Sequence, residues 1–258
     1  MENVILRNLS IGYTIKSGKK AVATQLNGTI NSGELTCLLG RNGVGKSTLL
    51  RTLSAFQPAL NGDVLLQGKP LTDYSDQELS QLIGVVLTEK PHVRNMTVDE
   101  MVAMGRAPYT GFWGVMSKDD QRIVGESIQL VGIDTLRHRL VQSLSDGERQ
   151  KVMIAKALAQ QTPIIYLDEP TAFLDYPSKV ELLQLLRRLA HDEQKTIFLS
   201  THDVEISLQL ADTLWLMTSE QLYVGTPRQL ADKEVLSAFI ESEGITFDSH
   251  MLTIHIKK

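Results

Sequence analysis

Cysteine is nearly absent from this 258-residue chain: Cys37 is its one thiol, so no disulfide can form within it. Cys37 lies in the apolar run Leu35-Thr36-Cys37-Leu38-Leu39, which predicts a buried, inert thiol and a reducing compartment. Aromatic residues make up only 5%, and no basic block stands out, with 26 Lys and Arg against 30 Asp and Glu for a net charge of -4. That balance weighs against a nucleic-acid binder, which needs a basic face to neutralise phosphates. No apolar run approaches the roughly 20 residues that span a bilayer, and Met1-Glu2-Asn3-Val4-Ile5-Leu6-Arg7 lacks the basic and apolar regions of a signal peptide. Any membrane role is therefore expected to be peripheral. What is present is globular, with 42% hydrophobic and 22% charged residues, and long enough to bury a sizeable core.

Short apolar runs bounded by turns alternate with helical stretches, which predicts an α/β chain. Residues 4–9, 29–31, 35–39 and 63–67 read as strands, and a helix should start near Lys46 and run through Leu53. Residues 83–87 form another buried strand candidate. From 91 to 147 the chain reads as helical, with Ser117, Asp119 and Asp120 as the N-cap and acidic first turn of a helix reaching Val131. Strands return at 164–167 and 196–199, separated by the helical stripe Val180, Leu182, Leu183, Leu185, Leu186 and Leu189. Residues 214–217 and 222–224 suggest a closing hairpin, and 238–258 one or two terminal strands. No repeat or long linker divides the chain, so one domain is expected: a core of 1–90 and 148–237, a helical insert at 91–147 and a tail at 238–258.

Gly40-Arg41-Asn42-Gly43-Val44-Gly45-Lys46-Ser47-Thr48 fits G-x-x-x-x-G-K-[ST] between a strand and a helix, the context this phosphate-binding pattern requires. Its glycines let the backbone curl so that N–H groups point at phosphate oxygens. Lys46 supplies a point charge to the β and γ phosphates, and the Ser47 hydroxyl can ligand Mg2+. Asp168 and Glu169 end the apolar strand at the sheet edge where α/β proteins bind ligands. There Asp168 suits Mg2+ and Glu169 suits the polarising of an attacking water. Leu144-Ser145-Asp146-Gly147-Glu148-Arg149-Gln150 opens a second helix and puts Ser145 and the Gly147 amide at its N-terminus, either as a simple cap or as a second anion site. His92, His138, His191, His250 and His255 show no metal-ligand spacing.

Taken in order, residues 40–48, 144–148, 164–169, 171–175 and Ser200-Thr201-His202-Asp203 resemble the ATP-binding subunits of ABC transporters over nearly the whole chain. The resemblance implies a phosphate-loop NTPase core of the RecA-like kind, with an N-terminal antiparallel β subdomain and an inserted α-helical subdomain. It implies ATP and Mg2+, with Tyr13 stacking on the adenine and Lys46 and Ser47 holding the phosphates and the ion. By the same resemblance Asp168 is the acidic Mg2+ partner and Glu169 the catalytic base. Asp175 belongs to the loop that crosses to a partner subunit, and His202 is the switch histidine at the γ-phosphate. The implied assembly is a head-to-tail pair of two copies with two ATP molecules, on the cytoplasmic face of the cell membrane. It would drive integral membrane permease subunits and, through them, serve a substrate-binding protein.

Two positions depart from the family pattern. Asp146 and Glu148 stand where the signature segment normally has Gly and Gln, and Thr88 or Glu89 stands where a glutamine is expected, with Glu89 a candidate near Mg2+ or the attacking water. In the insert, Met96, Met101, Met104 and Met116 with Phe112 and Trp113 suggest a soft apolar surface for a partner's helix. Residues 105–109 and 111–114 and the compact length resemble the ATPases of bacterial importers for iron-siderophore, haem or cobalamin. Other cargoes and export, a soluble ABC ATPase acting on nucleic acid or ribosomes, and a phosphate-loop kinase are the competing readings. The kinase leaves residues 144–148 and His202 without a role.

Overall fold

Two long strands, β1 (Glu2–Ile15) and β2 (Gly18–Asn31), open the chain and pair antiparallel. The computed structural model describes residues 2–15, 18–87, 93–111 and 114–257. β1 buries Val4, Leu6, Leu9 and Ile11, whereas Lys19, Lys20, Thr24 and Gln25 of β2 are exposed. That solvated half carries no hydrophobic alternation, which is why only residues 29–31 of β2 were legible as a strand.

The fully buried β3 (Leu35–Gly40) then leads into α1 (Lys46–Leu53). β4 (Asn61–Leu66), β5 (Lys69–Pro70), α2 (Asp76–Leu82) and β6 (Ile83–Val86) follow, and after them the helices α3 (Val98–Ala103), α4 (Lys118–Leu130) and α5 (Asp146–Ala159). β7 (Ile164–Asp168), α6 (Tyr176–Glu193), β8 (Thr196–Ser200) and α7 (Val204–Leu210) continue the chain. It closes with the hairpin β9 (Thr213–Met217) and β10 (Leu222–Gly225), α8 (Pro227–Asp232), α9 (Val235–Ile240), β11 (Ile245–Asp248) and β12 (Thr253–Ile256).

Two compact units result, Met1–Asp73 with Leu183–Lys258, and Tyr74–Leu182. In the first, β2-β1-β4-β5 form an antiparallel sheet, and β10-β9-β3-β8 lie side by side with β3 parallel to β8 and β9. Phe198 and Trp215 meet edge to face at 5.1 Å in its core. Cys37 is buried there, and burial pushes its thiol up to about 12, so it is inert as expected. In the second unit β6 runs parallel to β7, and α3, α4 and α5 pack on one another. Within this second unit α5 also packs on β6. Among the described residues no helix is long and apolar enough to cross a membrane.

The helices start as their sequences ask. Capping boxes close α2, α3, α4, α5 and α8 through Ser75/Glu78, Thr97/Glu100, Ser117/Asp120, Ser145/Glu148 and Thr226/Gln229. Of the four methionines expected at the surface of the insert, Met101 is buried, because it lies on the face of α3 turned to the helical core. Met104 is exposed, and Phe112 and Trp113 lie outside the described residues.

Arg106 ties this unit together. Its Nε donates to Asp120 Oδ1 at 2.8 Å and its Nη1 to the Ala159 carbonyl at 2.9 Å, while the guanidinium sits 4.1 Å from the Tyr109 ring centre. Breaking a buried pair leaves an uncompensated charge, so Arg106→Leu is expected to cost about 3–5 kcal/mol in urea unfolding at pH 7. The Ser117 hydroxyl and then Arg106 hold the Asp120 carboxyl down at about 2. A depressed carboxyl stabilises the fold above its unfolded pKa of roughly 3.9 and ceases to do so as pH falls towards about 2. Stability should therefore drop more steeply over that window in the wild type than in Asp120→Asn. Equal slopes would remove Asp120 as a contributor.

Candidate functional site

In the first unit, β3 delivers its C-terminal end into the loop 40–48 beside the end of β8, with Leu38 in register with Ser200 and Thr201 N donating to the Leu38 carbonyl at 3.1 Å. His202 therefore follows β8 at the same sheet edge as the loop. Gly43 has φ 78° and Gly45 φ 118°, values that L side chains rarely adopt. At Gly45 a Cβ would also stand 2.7 Å from Val22 Cγ1. The loop can take this path only with glycine there.

Gly45 is the N-cap of α1, and no side chain caps that helix, in contrast to the five helices closed by capping boxes. Its eight residues bury Leu49, Leu50 and Leu53, which anchors the helix in the core of the unit and fixes where its N-terminus points. Lys46 is almost fully buried. Its Nζ donates to the Gly40 carbonyl at 2.9 Å and lies 3.5 Å from His202 Nε2. Curled backbone, uncapped helix start and ammonium meet at one place, an arrangement that favours an anion.

Tyr13 of β1 comes to the same place. Its hydroxyl is 2.8 Å from Thr48 Oγ1, and the residue is 47% exposed beside the loop. The bond to Thr48 was not legible in the sequence, since the two residues are 35 positions apart and on different elements.

In the second unit, β7 is buried throughout and ends in Asp168, which is 6% exposed. Glu169 follows with φ 50°, half-exposed, and its carbonyl accepts from Ala172 N at 3.2 Å. Ser145 caps α5, and the Glu148 carboxylate reaches back to the Ser145 amide at 2.8 Å and hydroxyl at 2.9 Å. Those bonds hold Glu148 below the ordinary carboxylate range, so in the single chain its charge sits on the helix end where a second anion was considered. Arg149 covers the other departure from the family pattern, donating to Asp146 Oδ1 at 3.0 Å and to the Leu144 carbonyl at 2.9 Å. Asp175 precedes α6, its Oδ1 accepting from Ser178 N at 3.2 Å, and the bonds from Ser178 hold its carboxyl below the ordinary range. Thr88 and Glu89 lie outside the described residues. Among the described residues no group of three or more His, Cys, Asp or Glu could hold a metal ion.

A phosphate loop on the edge of a parallel sheet defines a nucleoside-triphosphate-binding protein of the phosphate-loop class. The family model described as ABC transporter matches residues 23–172. An uncharacterized ABC transporter ATP-binding protein of Methanocaldococcus jannaschii is 39% identical over 93% of this chain and 82% of its own length. The ferric enterobactin transport ATP-binding protein of Escherichia coli is 35% identical over 88% and 83%. Among solved structures, a dimeric ATP-binding cassette in a post-hydrolysis state with ADP and Pi is similar at a TM-score of 0.77 and 26% identity, covering 87% of this chain and 98% of that one. The chain belongs to the ABC transporter family, as an ATPase subunit that binds and hydrolyses ATP.

The geometry of Gly45 sets a test. Gly45→Ala is expected to weaken ATP binding roughly 10- to 100-fold, matching about 1–3 kcal/mol of backbone strain, while the circular dichroism spectrum stays unchanged. Undiminished binding in calorimetric titration would show that the loop does not need this conformation.

Proposed function

We propose that this ATPase works as a head-to-tail pair at the cytoplasmic face of a membrane and drives import of an iron-siderophore, haem or cobalamin complex through a separate permease. The observation that carries the catalytic part is the uncapped start of α1 with Lys46 folded into the loop. The cargo class rests on similarity to the ferric enterobactin subunit over most of both chains.

In this reading, backbone amides of Gly43, Val44, Gly45, Lys46, Ser47 and Thr48 cradle the phosphates, with Gly40, Arg41 and Asn42 shaping the loop's entry. Lys46 faces the β and γ phosphates, and Tyr13 stacks on the adenine. Ser145 and Gly147 of the second copy approach the γ-phosphate from the other side, and Asp175 lies in the loop that crosses with them. The Ser47 hydroxyl and Asp168 carboxylate, with Glu89 as a further candidate, are hard oxygen donors of the kind Mg2+ takes. Such an ion is held by one or two carboxylates plus substrate phosphates rather than by a protein cage. Bound there, it supplies charge neutralisation to the phosphate oxygens.

Glu169 accepts a proton from the water that attacks the γ-phosphorus as the bond to the bridging oxygen breaks. His202 holds the γ-phosphate oxygens from the edge it shares with Lys46. After cleavage, like-charged products between the halves favour opening, and the motion reaches the permease through the segment 91–147.

Glu169→Gln keeps the size of the side chain and removes the base, so turnover should fall by at least about 100-fold with ATP affinity retained. Purified from native membranes with ATP and Mg2+, that variant should carry a many-spanning membrane protein in stoichiometric amount; ribosomal proteins or nucleic acid instead would overturn the transport role. Glu148→Gln keeps the cap but removes a charge from the end of α5. The ATP concentration for half-maximal pairing should then fall about two- to fivefold, and a rise would contradict the placement of Glu148 near the γ-phosphate.

A further inference from the structure

The arm formed by the end of β1 and the start of β2 has two faces of different use. Across its ladder Tyr13 pairs with Lys20 and Thr14 with Lys19. Residues opposite one another on an antiparallel ladder point to the same side, and neighbours along a strand point to opposite sides. Lys19 and Lys20 therefore leave the arm in opposite directions. Lys19 Nζ donates to the Leu60 carbonyl at 3.1 Å, on the side where a Cβ on Gly12 would stand 2.8 Å from Leu60 Cδ1. That face is occupied by the chain itself.

The other face is turned to the phosphate loop. Tyr13 reaches Thr48 there, and a Cβ on Gly45 would stand 2.7 Å from Val22 Cγ1 and 3.7 Å from Ile11 Cδ1. Val22 is the extra residue at a shift of register, since Ile11 pairs with Ala23 and Gly12 with Ala21. Lys20 shares this face with Tyr13. It is exposed, and its ammonium makes no hydrogen bond or ion pair among the described residues. A lysine chain extends from its strand about as far as a tyrosine ring does, so the ammonium can come level with the Tyr13 hydroxyl at the first turn of α1.

We infer that Lys20 is a nucleotide-binding residue whose ammonium takes the α-phosphate. This rests on the placement of the adenine against Tyr13 proposed above. In that placement the base lies on the arm and the phosphates run into the loop 40–48, so the α-phosphate is the first charged group beyond the arm. Base and ribose are neutral and offer a cation no charge of opposite sign. Lys46 is folded into the loop on the Gly40 carbonyl and serves the far phosphates, which leaves the near one to a cation arriving from the arm. An ammonium donating to a phosphate oxygen makes a charge-assisted hydrogen bond, weakened here by water and salt because Lys20 is exposed.

Calorimetric titration with ATP and ADP in the presence of Mg2+ tests this. Lys20→Met keeps the apolar stem and removes the charge, so it should weaken ATP and ADP alike by roughly three- to tenfold. Lys20→Arg keeps the charge and should stay within about twofold of the wild type. Tyr13→Ala, measured beside them, should weaken both nucleotides as well. Unchanged affinity in Lys20→Met with a loss in Tyr13→Ala would overturn the role of Lys20 and leave the adenine placement standing. Unchanged affinity in both would remove that placement and the lysine contact with it. A loss confined to ATP would put the ammonium at the γ-phosphate, and an equal loss in Lys20→Arg would make the effect one of strand geometry; either overturns the assignment.

Discussion

The N-terminus of α1 carries the positive end of a helix dipole, and no side chain is spent on capping it. Gly45 at φ 118° turns the chain into that helix, and Lys46 bends back onto the Gly40 carbonyl, so the ammonium and the helix start converge on one volume. The rest of the first unit can be understood as support for this arrangement. β3 is buried on every residue and cannot shift, the three leucines of α1 pin the helix in the core, and β8 brings His202 to the same edge.

The contrast with α5 shows how local chemistry divides labour between helix ends of the same protein. Ser145 and Glu148 satisfy the start of α5 with the chain's own carboxylate, so that end is closed without a ligand. Glu148 is held below the ordinary carboxylate range and lies 3.5 Å from Arg139, while Arg149 pairs with Asp146 nearby.

Much of this was legible in the sequence because the motifs are local. The glycines and Lys46 of the phosphate loop, Ser117 and Ser145 as caps, and the apolar strand ending in Asp168 each depend on neighbours within a few positions. The exposed half of β2 was not legible, since a solvated hairpin arm has no hydrophobic period. Nor was the environment of Arg106, whose partners at 120, 159 and 161 meet only in the folded unit. The burial of Met101 was open for a related reason: composition marks a soft surface, but only the turn of α3 decides which methionine faces inward.

Nucleotide selectivity tests the central claim most directly, because the loop is built to hold phosphates and Tyr13 offers only a half-exposed ring. The wild-type chain would be titrated calorimetrically with ATP, ADP and AMP in the presence of Mg2+. If the start of α1 and Lys46 carry recognition, ATP and ADP should bind within about tenfold of each other and AMP at least about 100-fold more weakly, a gap of roughly 2.8 kcal/mol. AMP binding as tightly as ATP would contradict the account and move recognition to the adenine side.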